Sequence, residues 1–310
     1  MAINQDIVVQ THDLSKKYGT TNALDQVNIT VHRGEIYGFV GRNGAGKTTL
    51  IRVLTGIANP TSGTFTLLGA KTKAEQIEAR QHIAAMVETP ALYMNMTAHD
   101  NLKTTLILKG INDESLIVER LKEVGLQDVI NSEKKAKDFS LGMKQRLGIA
   151  MALLGNPKVL ILDEPTNGLD PEGIREMREL LVNINKARNI TMIISSHILG
   201  ELSKLATTFG FIDKGKIINE ISSEDLFAHV SKEVIIKTDD NIKATAVLNE
   251  KFPNCVSKDD NGSLRVSGVA NSSDIVKLLV KSDINVLNFR EQENGLEDYF
   301  INLIGGNHNG

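Results

Sequence analysis

Gly41-Arg42-Asn43-Gly44-Ala45-Gly46-Lys47-Thr48 lies between a β-type run at residues 35–40 and a helical pattern at residues 48–57. This GxxxxGK[ST] pattern, set between strand and helix, leaves little freedom to the local fold: a strand must end, the backbone must wrap, and a helix must begin within one short loop. Glycines permit the wrap, so that amide N–H groups converge, and the helix N-terminus adds positive potential. Such a loop holds phosphate. Gly41, Asn43, Gly44, Ala45, Gly46 and the following Thr49 are therefore candidate nucleotide contacts, Lys47 is placed to reach the β and γ phosphates, and the Thr48 hydroxyl to hold Mg²⁺.

A second constraint comes from Val159-Leu160-Ile161-Leu162-Asp163-Glu164, an aliphatic run ending in two carboxylates. Its length and composition fit a strand buried on both faces, and the carboxyl end of a parallel strand is where ligands bind in such sheets. Asp163 suits Mg²⁺, directly or through water, while Glu164 is free to orient or deprotonate an attacking water. Small-molecule kinases and regulatory GTPases remain open at this point.

The rest of the chain shows the architecture around these motifs. Residues 7–9, 27–31, 35–40, 64–68 and 190–195 read as strands, and residues 48–57, 97–109, 114–124, 140–154 and 170–188 as helices, the last with Asp170 as N-cap before Pro171. This alternation predicts an α/β domain with a mainly parallel sheet and an antiparallel portion near the N-terminus. A hairpin is expected at residues 211–218 and a linker at 223–232. Residues 233–304 then read as β-α-β-β-α-β plus an end helix, a small α+β domain of the split βαβ kind, followed by a frayed tail at 305–310.

With 310 residues, two domains are expected. The 35 basic against 38 acidic residues, a formal charge of −3, give no global reason to bind nucleic acid. The one cysteine, Cys255, allows neither an internal disulfide nor a cysteine-rich zinc site, which fits a reducing cytoplasm. No run of about 18 apolar residues suggests a membrane span or a leader.

Six motifs in order decide among the nucleotide-binding classes: Tyr18, the loop at 41–48, Phe139-Ser140-Leu141-Gly142-Met143-Lys144-Gln145-Arg146, the acidic strand, Asn167-Gly168-Leu169-Asp170, and Ser195-Ser196-His197. Across about residues 4–222 the chain resembles the ATPase subunits of ABC transporters. The resemblance implies a phosphate-loop NTPase fold with a helical signature subdomain, ATP and Mg²⁺ as cofactors, Tyr18 stacking on adenine, and His197 on the γ-phosphate. Ser140 and Gly142 would contact ATP held by the opposite subunit, and Asp170 would couple the two sites. Leu141 and Met143 depart from the family's glycine and glutamine. Glu88 stands where the family usually carries glutamine; it offers an oxygen to Mg²⁺ or its water but adds charge.

Together with Glu88-Thr89-Pro90-Ala91-Leu92-Tyr93, that glutamate is similar to ATPases of bacitracin-resistance and lantibiotic-immunity exporters. The resemblance implies a second ATPase subunit, identical or different, and an integral membrane permease, with the chain cytoplasmic and peripheral on the inner face of the membrane. The implied role is ATP hydrolysis driving export of an antimicrobial peptide or other amphipathic compound. A non-transport ATPase of the same superfamily and an ATP-dependent regulatory module are the alternatives.

Overall fold

Strands covered on both faces need no polar side, and the aliphatic runs of this chain become such strands. The computed structural model describes residues 7–229, 232–253, 255–258, 262–266, 272–293 and 296–305. The chain divides into two compact units, Met1–Ser223 and Glu224–Gly310. In the first, β1 (Ile7–Tyr18), β2 (Thr21–Val27), β3 (Thr30–His32), β4 (Ile36–Val40) and α1 (Lys47–Leu54) lead to β5 (Ser62–Leu67), α2 (Lys73–Ala79) and β6 (Ile83–Met86). Three helices follow, α3 (Ala98–Lys109), α4 (Ser115–Glu123) and α5 (Leu141–Leu153). The unit closes with β7 (Val159–Asp163), α6 (Pro171–Arg188), β8 (Thr191–Ser196), α7 (Leu199–Leu202), β9 (Thr208–Asp213) and β10 (Lys216–Ser222).

The main sheet has the order β10-β9-β4-β8-β7-β6. Its β9, β4, β8, β7 and β6 run parallel and β10 pairs antiparallel with β9. Every residue of β4, β7 and β8 is buried, which is why their sequences show no polar alternation. Each buried aliphatic side chain contributes about 1.5–3 kcal/mol, and the strand ends are thereby held firmly in place for chemistry. The antiparallel sheet, β2-β1-β3 with β5 also on β1, shares one core with α1 and the main sheet through Val9, Leu24, Phe65, Phe39, Leu50 and Ile161.

One expected element is corrected. Residues 27–31 are not a continuous strand: β2 ends at Val27 and β3 starts at Thr30. The buried Thr11 hydroxyl fills the break, donating to the Val27 carbonyl at 2.8 Å and accepting from the Ile29 amide at 2.9 Å. Backbone groups released from the ladder therefore remain paired.

Helix termini follow local chemistry. Ser140 caps α5 by accepting from the Met143 amide, Asp170 caps α6 by accepting from the Gly173 amide ahead of Pro171 at the first turn, and Thr97 with Asp100 forms a capping box on α3. Arg188 at the end of α6 reaches Glu123 and Glu119 of α4, at 2.5 and 3.3 Å, and so ties the helical portion to the helices flanking the sheet.

Within the stretch read as a linker, Ser223–His229 forms α8. The second unit continues with β11 (Lys232–Thr238), α9 (Asn241–Lys251), β12 (Val256–Lys258), β13 (Leu264–Val266), α10 (Ser272–Lys281), β14 (Val286–Glu293) and α11 (Leu296–Gly305). Its sheet has the order β12-β13-β11-β14, all antiparallel. Val234, Ile236, Leu264 and Val266 face Ala244, Leu248, Ile275 and Leu279 of the two helices in one core. Residues 259–261, between β12 and β13, and residues 306–310 of the expected tail lie outside the described residues.

Glu35, just before β4, accepts from the His32 amide at 2.5 Å and from the Thr208 hydroxyl at 3.0 Å. Burial nevertheless raises its carboxyl above the ordinary value, because desolvation outweighs those bonds. The folded state therefore holds this proton more tightly than the unfolded chain. The corresponding stability is fully present below the unfolded value and is lost as pH rises through the folded one. Glu35→Gln is expected to flatten that part of the slope in urea denaturation followed from about pH 4 to about pH 8.

Candidate nucleotide site

The loop between β4 and α1 is shaped by glycines that nothing else could replace. Gly46 has φ 117°, and a Cβ there would sit 2.6 Å from the Ala23 carbonyl oxygen; at Gly41 it would sit 2.6 Å from both Cγ2 and the carbonyl oxygen of Ile212. Closer than about 3 Å a carbon meets hard repulsion, so the loop closes tightly only with hydrogen at these positions. Gly46 stands at the N-cap of α1 without a side-chain cap, which leaves the first-turn amides for an anion. Ala45 is buried, Asn43 and Gly44 are exposed on the loop, and Thr49 is half-buried on α1.

Lys47 folds back over this loop. Its Nζ donates to the carbonyl oxygens of Gly41 at 2.7 Å and Arg42 at 3.2 Å, and lies 3.2 Å from Glu164 Oε1. The side chain is only 4% exposed, so its charge acts in a medium poorer in water than the surface. Glu164 accepts the lysine on one oxygen and meets His197 Nδ1 on the other at 2.8 Å. Its backbone is left-handed, φ 49°, an arrangement uncommon for a non-glycine residue and held here by its amide donating to Ser195 Oγ at 3.0 Å.

Asp163, nearly fully buried at the end of β7, has both oxygens engaged: Thr48 Oγ1 donates to Oδ2 at 2.8 Å and Ser195 Oγ donates to Oδ1 at 2.6 Å. A hydroxyl and a carboxylate are the hard oxygen donors that Mg²⁺ prefers, and they stand side by side at the loop. Glu88 lines the same cleft as Asn43, Thr48, Asp163 and Glu164. Its carboxylate, however, is ion-paired with Arg52. Among the described residues no three acidic, histidine or cysteine side chains form a preassembled metal cluster.

Ser140, Gly142 and Asp170 lie elsewhere. Together with Gly168, Arg146 and Glu176 they line another open cleft of about 600 Å³, which borders the loop's cleft at Leu141, a residue that lines both. Tyr18 is 48% exposed at the end of β1, with Lys16 Nζ 4.9 Å from its ring centroid, and lines neither cleft.

Two contributors escaped the motif reading. Ser195 is the hydroxyl that clamps both Asp163 and Glu164, yet in the sequence it is only one of two serines before His197. Arg52 looks like an ordinary helix residue; its position four after Thr48 was the available signal, since residues so spaced share a helix face.

A phosphate-wrapping loop, a lysine and paired carboxylates at the carboxyl ends of parallel strands define a phosphate-loop nucleotide-binding unit. The ABC transporter family model matches residues 24–167, and the chain belongs to the ATP-binding subunits of ABC transporters. It is 44% identical to the bacitracin transport ATP-binding protein BcrA of Bacillus licheniformis over 301 residues, 96% of this chain and 98% of that one. It is also 44% identical to the lantibiotic transport ATP-binding protein SrtF of Streptococcus pyogenes, over 69% of this chain and 90% of that protein. Among solved structures, cbiO1 of Clostridium perfringens, part of the ABC transporter complex cbiONQ, superposes with a TM-score of 0.65 at 28% identity, covering 80% of this chain and 96% of that one. The chain is thus an ATPase, converting ATP and water to ADP and phosphate in a reaction coupled to transport.

Removing the Ser195 hydroxyl leaves one Asp163 oxygen unpaired while sparing the loop. Ser195→Ala is expected to lower ATP turnover about tenfold or more, with ATP affinity within about twofold of the parent. Steady-state phosphate release and equilibrium ATP titration on the same preparation check the two numbers.

Proposed function

We propose that two ATPase chains, this one and a second copy or a different partner, close on two ATP molecules and drive a separate membrane permease that exports an antimicrobial peptide or other amphipathic compound. The observation that supports the paired arrangement is that none of Ser140, Gly142 and Asp170 lines the cleft of Thr48, Asp163 and Glu164 within one chain; they line the neighbouring one. A nucleotide seated on the loop needs another chain to bring the second cleft to it. The export reading is supported by two relatives, a bacitracin transport ATP-binding protein that matches 96% of this chain and a lantibiotic transport ATP-binding protein that matches 69% of it.

In this reading the geometry supports the roles around the loop, and the family resemblance supplies those of Tyr18, Ser140, Gly142 and Asp170. Loop amides from Gly41 to Thr49 hold the phosphates, and the Lys47 ammonium offsets their charge. Thr48 and Asp163 hold Mg²⁺, which supplies charge neutralisation on the phosphate oxygens when bound. Glu164 takes a proton from water as that oxygen bonds to the γ-phosphorus and the bond to ADP breaks. His197 fixes the second oxygen of Glu164 and so its direction. Tyr18 offers a ring to adenine. Ser140 and Gly142 meet the γ-phosphate on the partner chain, with Asp170 beside them.

Residues 89–105, which follow Glu88, transmit closure to the permease. Among the described residues no helix is long and apolar enough to cross a membrane, which supports a peripheral place on the cytoplasmic face, held by the permease. No nucleic acid is part of this reading.

Glu164→Gln keeps the shape of the site but cannot take the proton. We expect ATP turnover to fall about 10²-fold or more and the protein to accumulate as a closed pair when Mg-ATP is added. Light scattering of that variant with and without Mg-ATP reads the molar mass directly. Doubling supports a pair of identical chains, and a monomer that binds ATP points to a different partner; rapid turnover in the variant would remove Glu164 from the role of base.

A further inference from the structure

Arg52 lies one turn beyond Thr48 on the same face of α1. Thr48 gives its hydroxyl to Asp163 at the end of β7, while Arg52 Nη2 pairs with Glu88 Oε1, two residues beyond the end of the neighbouring parallel strand β6. One helix face thus meets two carboxylates from adjacent strand ends, with a neutral donor for the first and a cation for the second. Glu88 reaches this place from a left-handed backbone, φ 64°, comparable to that of Glu164.

The pair is not there for stability. Glu88 is 61% and Arg52 39% exposed, and ion pairs so open to water add little to folding. Local charge is the stronger reason. Glu88, Asp163 and Glu164 line one cleft, which is built for an anion. Lys47 is matched to Glu164 and the Thr48 and Ser195 hydroxyls to Asp163. Without a cation of its own, Glu88 would bring an unbalanced negative charge beside the phosphates.

We propose that Arg52 is a positioning residue and the dedicated counter-ion of Glu88. It cancels the charge that Glu88 adds beside the phosphate loop, and holds the carboxylate against α1. This inference rests on the loop's cleft being the nucleotide site.

The test is ATP affinity of the full chain, measured by calorimetry in EDTA and again with Mg²⁺, for the parent, Arg52→Gln, Glu88→Gln and the double variant. Arg52→Gln is expected to weaken ATP binding about threefold to fivefold. Glu88→Gln leaves the arginine unopposed and should bind ATP in EDTA no more weakly than the parent, and adding it to Arg52→Gln should restore affinity to within about 1.5-fold of the parent. Both the loss and its restoration should shrink as salt is raised. Failure of Glu88→Gln to restore affinity in the Arg52→Gln background would mean that the arginine acts other than by balancing Glu88, and would overturn the proposal; so would no loss from Arg52→Gln. Unchanged thermal unfolding of all four proteins keeps misfolding out of the comparison. Lys47→Ala, which must lose ATP in every background, separates the two layers: if it binds ATP normally, the assignment of the site itself fails and the counter-ion role falls with it.

Discussion

Glu164 accepts Lys47 on one oxygen and His197 on the other, and through it the phosphate loop, β7 and the end of β8 are joined into one site. The contact is short in space but long in sequence. It exists because β4, β8 and β7 are adjacent in the parallel sheet, so that their carboxyl ends and the segments leaving them open onto the same edge. The lysine is nearly buried and the carboxylate half-shielded, so each charge needs the other until an anionic ligand competes for the lysine.

Around that contact the second carboxylate is held differently. Asp163 meets hydroxyls from Thr48 and Ser195, donors that can exchange partners without leaving an unpaired charge. Two adjacent carboxylates thus have distinct surroundings, Glu164 between a lysine and a histidine ring and Asp163 between two hydroxyls. The two clefts differ in lining: the loop's cleft presents the carboxylates of Glu88, Asp163 and Glu164 with Asn43 and Thr48, and the cleft beside Ser140 and Asp170 presents two capped helix starts, glycines, and Arg146 with Glu172 and Glu176.

Much of this was legible before any coordinates. The loop, its lysine, the acidic strand and the caps Ser140 and Asp170 are local signals, because each depends on residues within a few positions of one another. The strand break at Thr11 was not legible, since a buried hydroxyl stands in for a ladder bond contributed from elsewhere in the chain. Ser195 escaped for a similar reason: nothing in a serine's neighbours tells that its hydroxyl will face an aspartate 32 positions earlier. Glu88 stands out in the sequence as a carboxylate, but its partner Arg52, 36 positions away, emerged only when α1 was placed against the end of β6.

The sequence by itself determined the phosphate-loop motif, the α/β alternation around the loop and the acidic strand, and the family to which the chain belongs. These rest on backbone conformation and short-range periodicity, which neighbouring residues control. Tertiary structure alone decided where β2, α2 and β6 form, which oxygen of each carboxylate meets which donor, that Glu88 is paired with arginine, and that Ser140, Gly142 and Asp170 line a different cleft from the loop. Those outcomes depend on strand order and helix placement, where the free energy of burying apolar side chains sets positions to which the polar groups must then adapt.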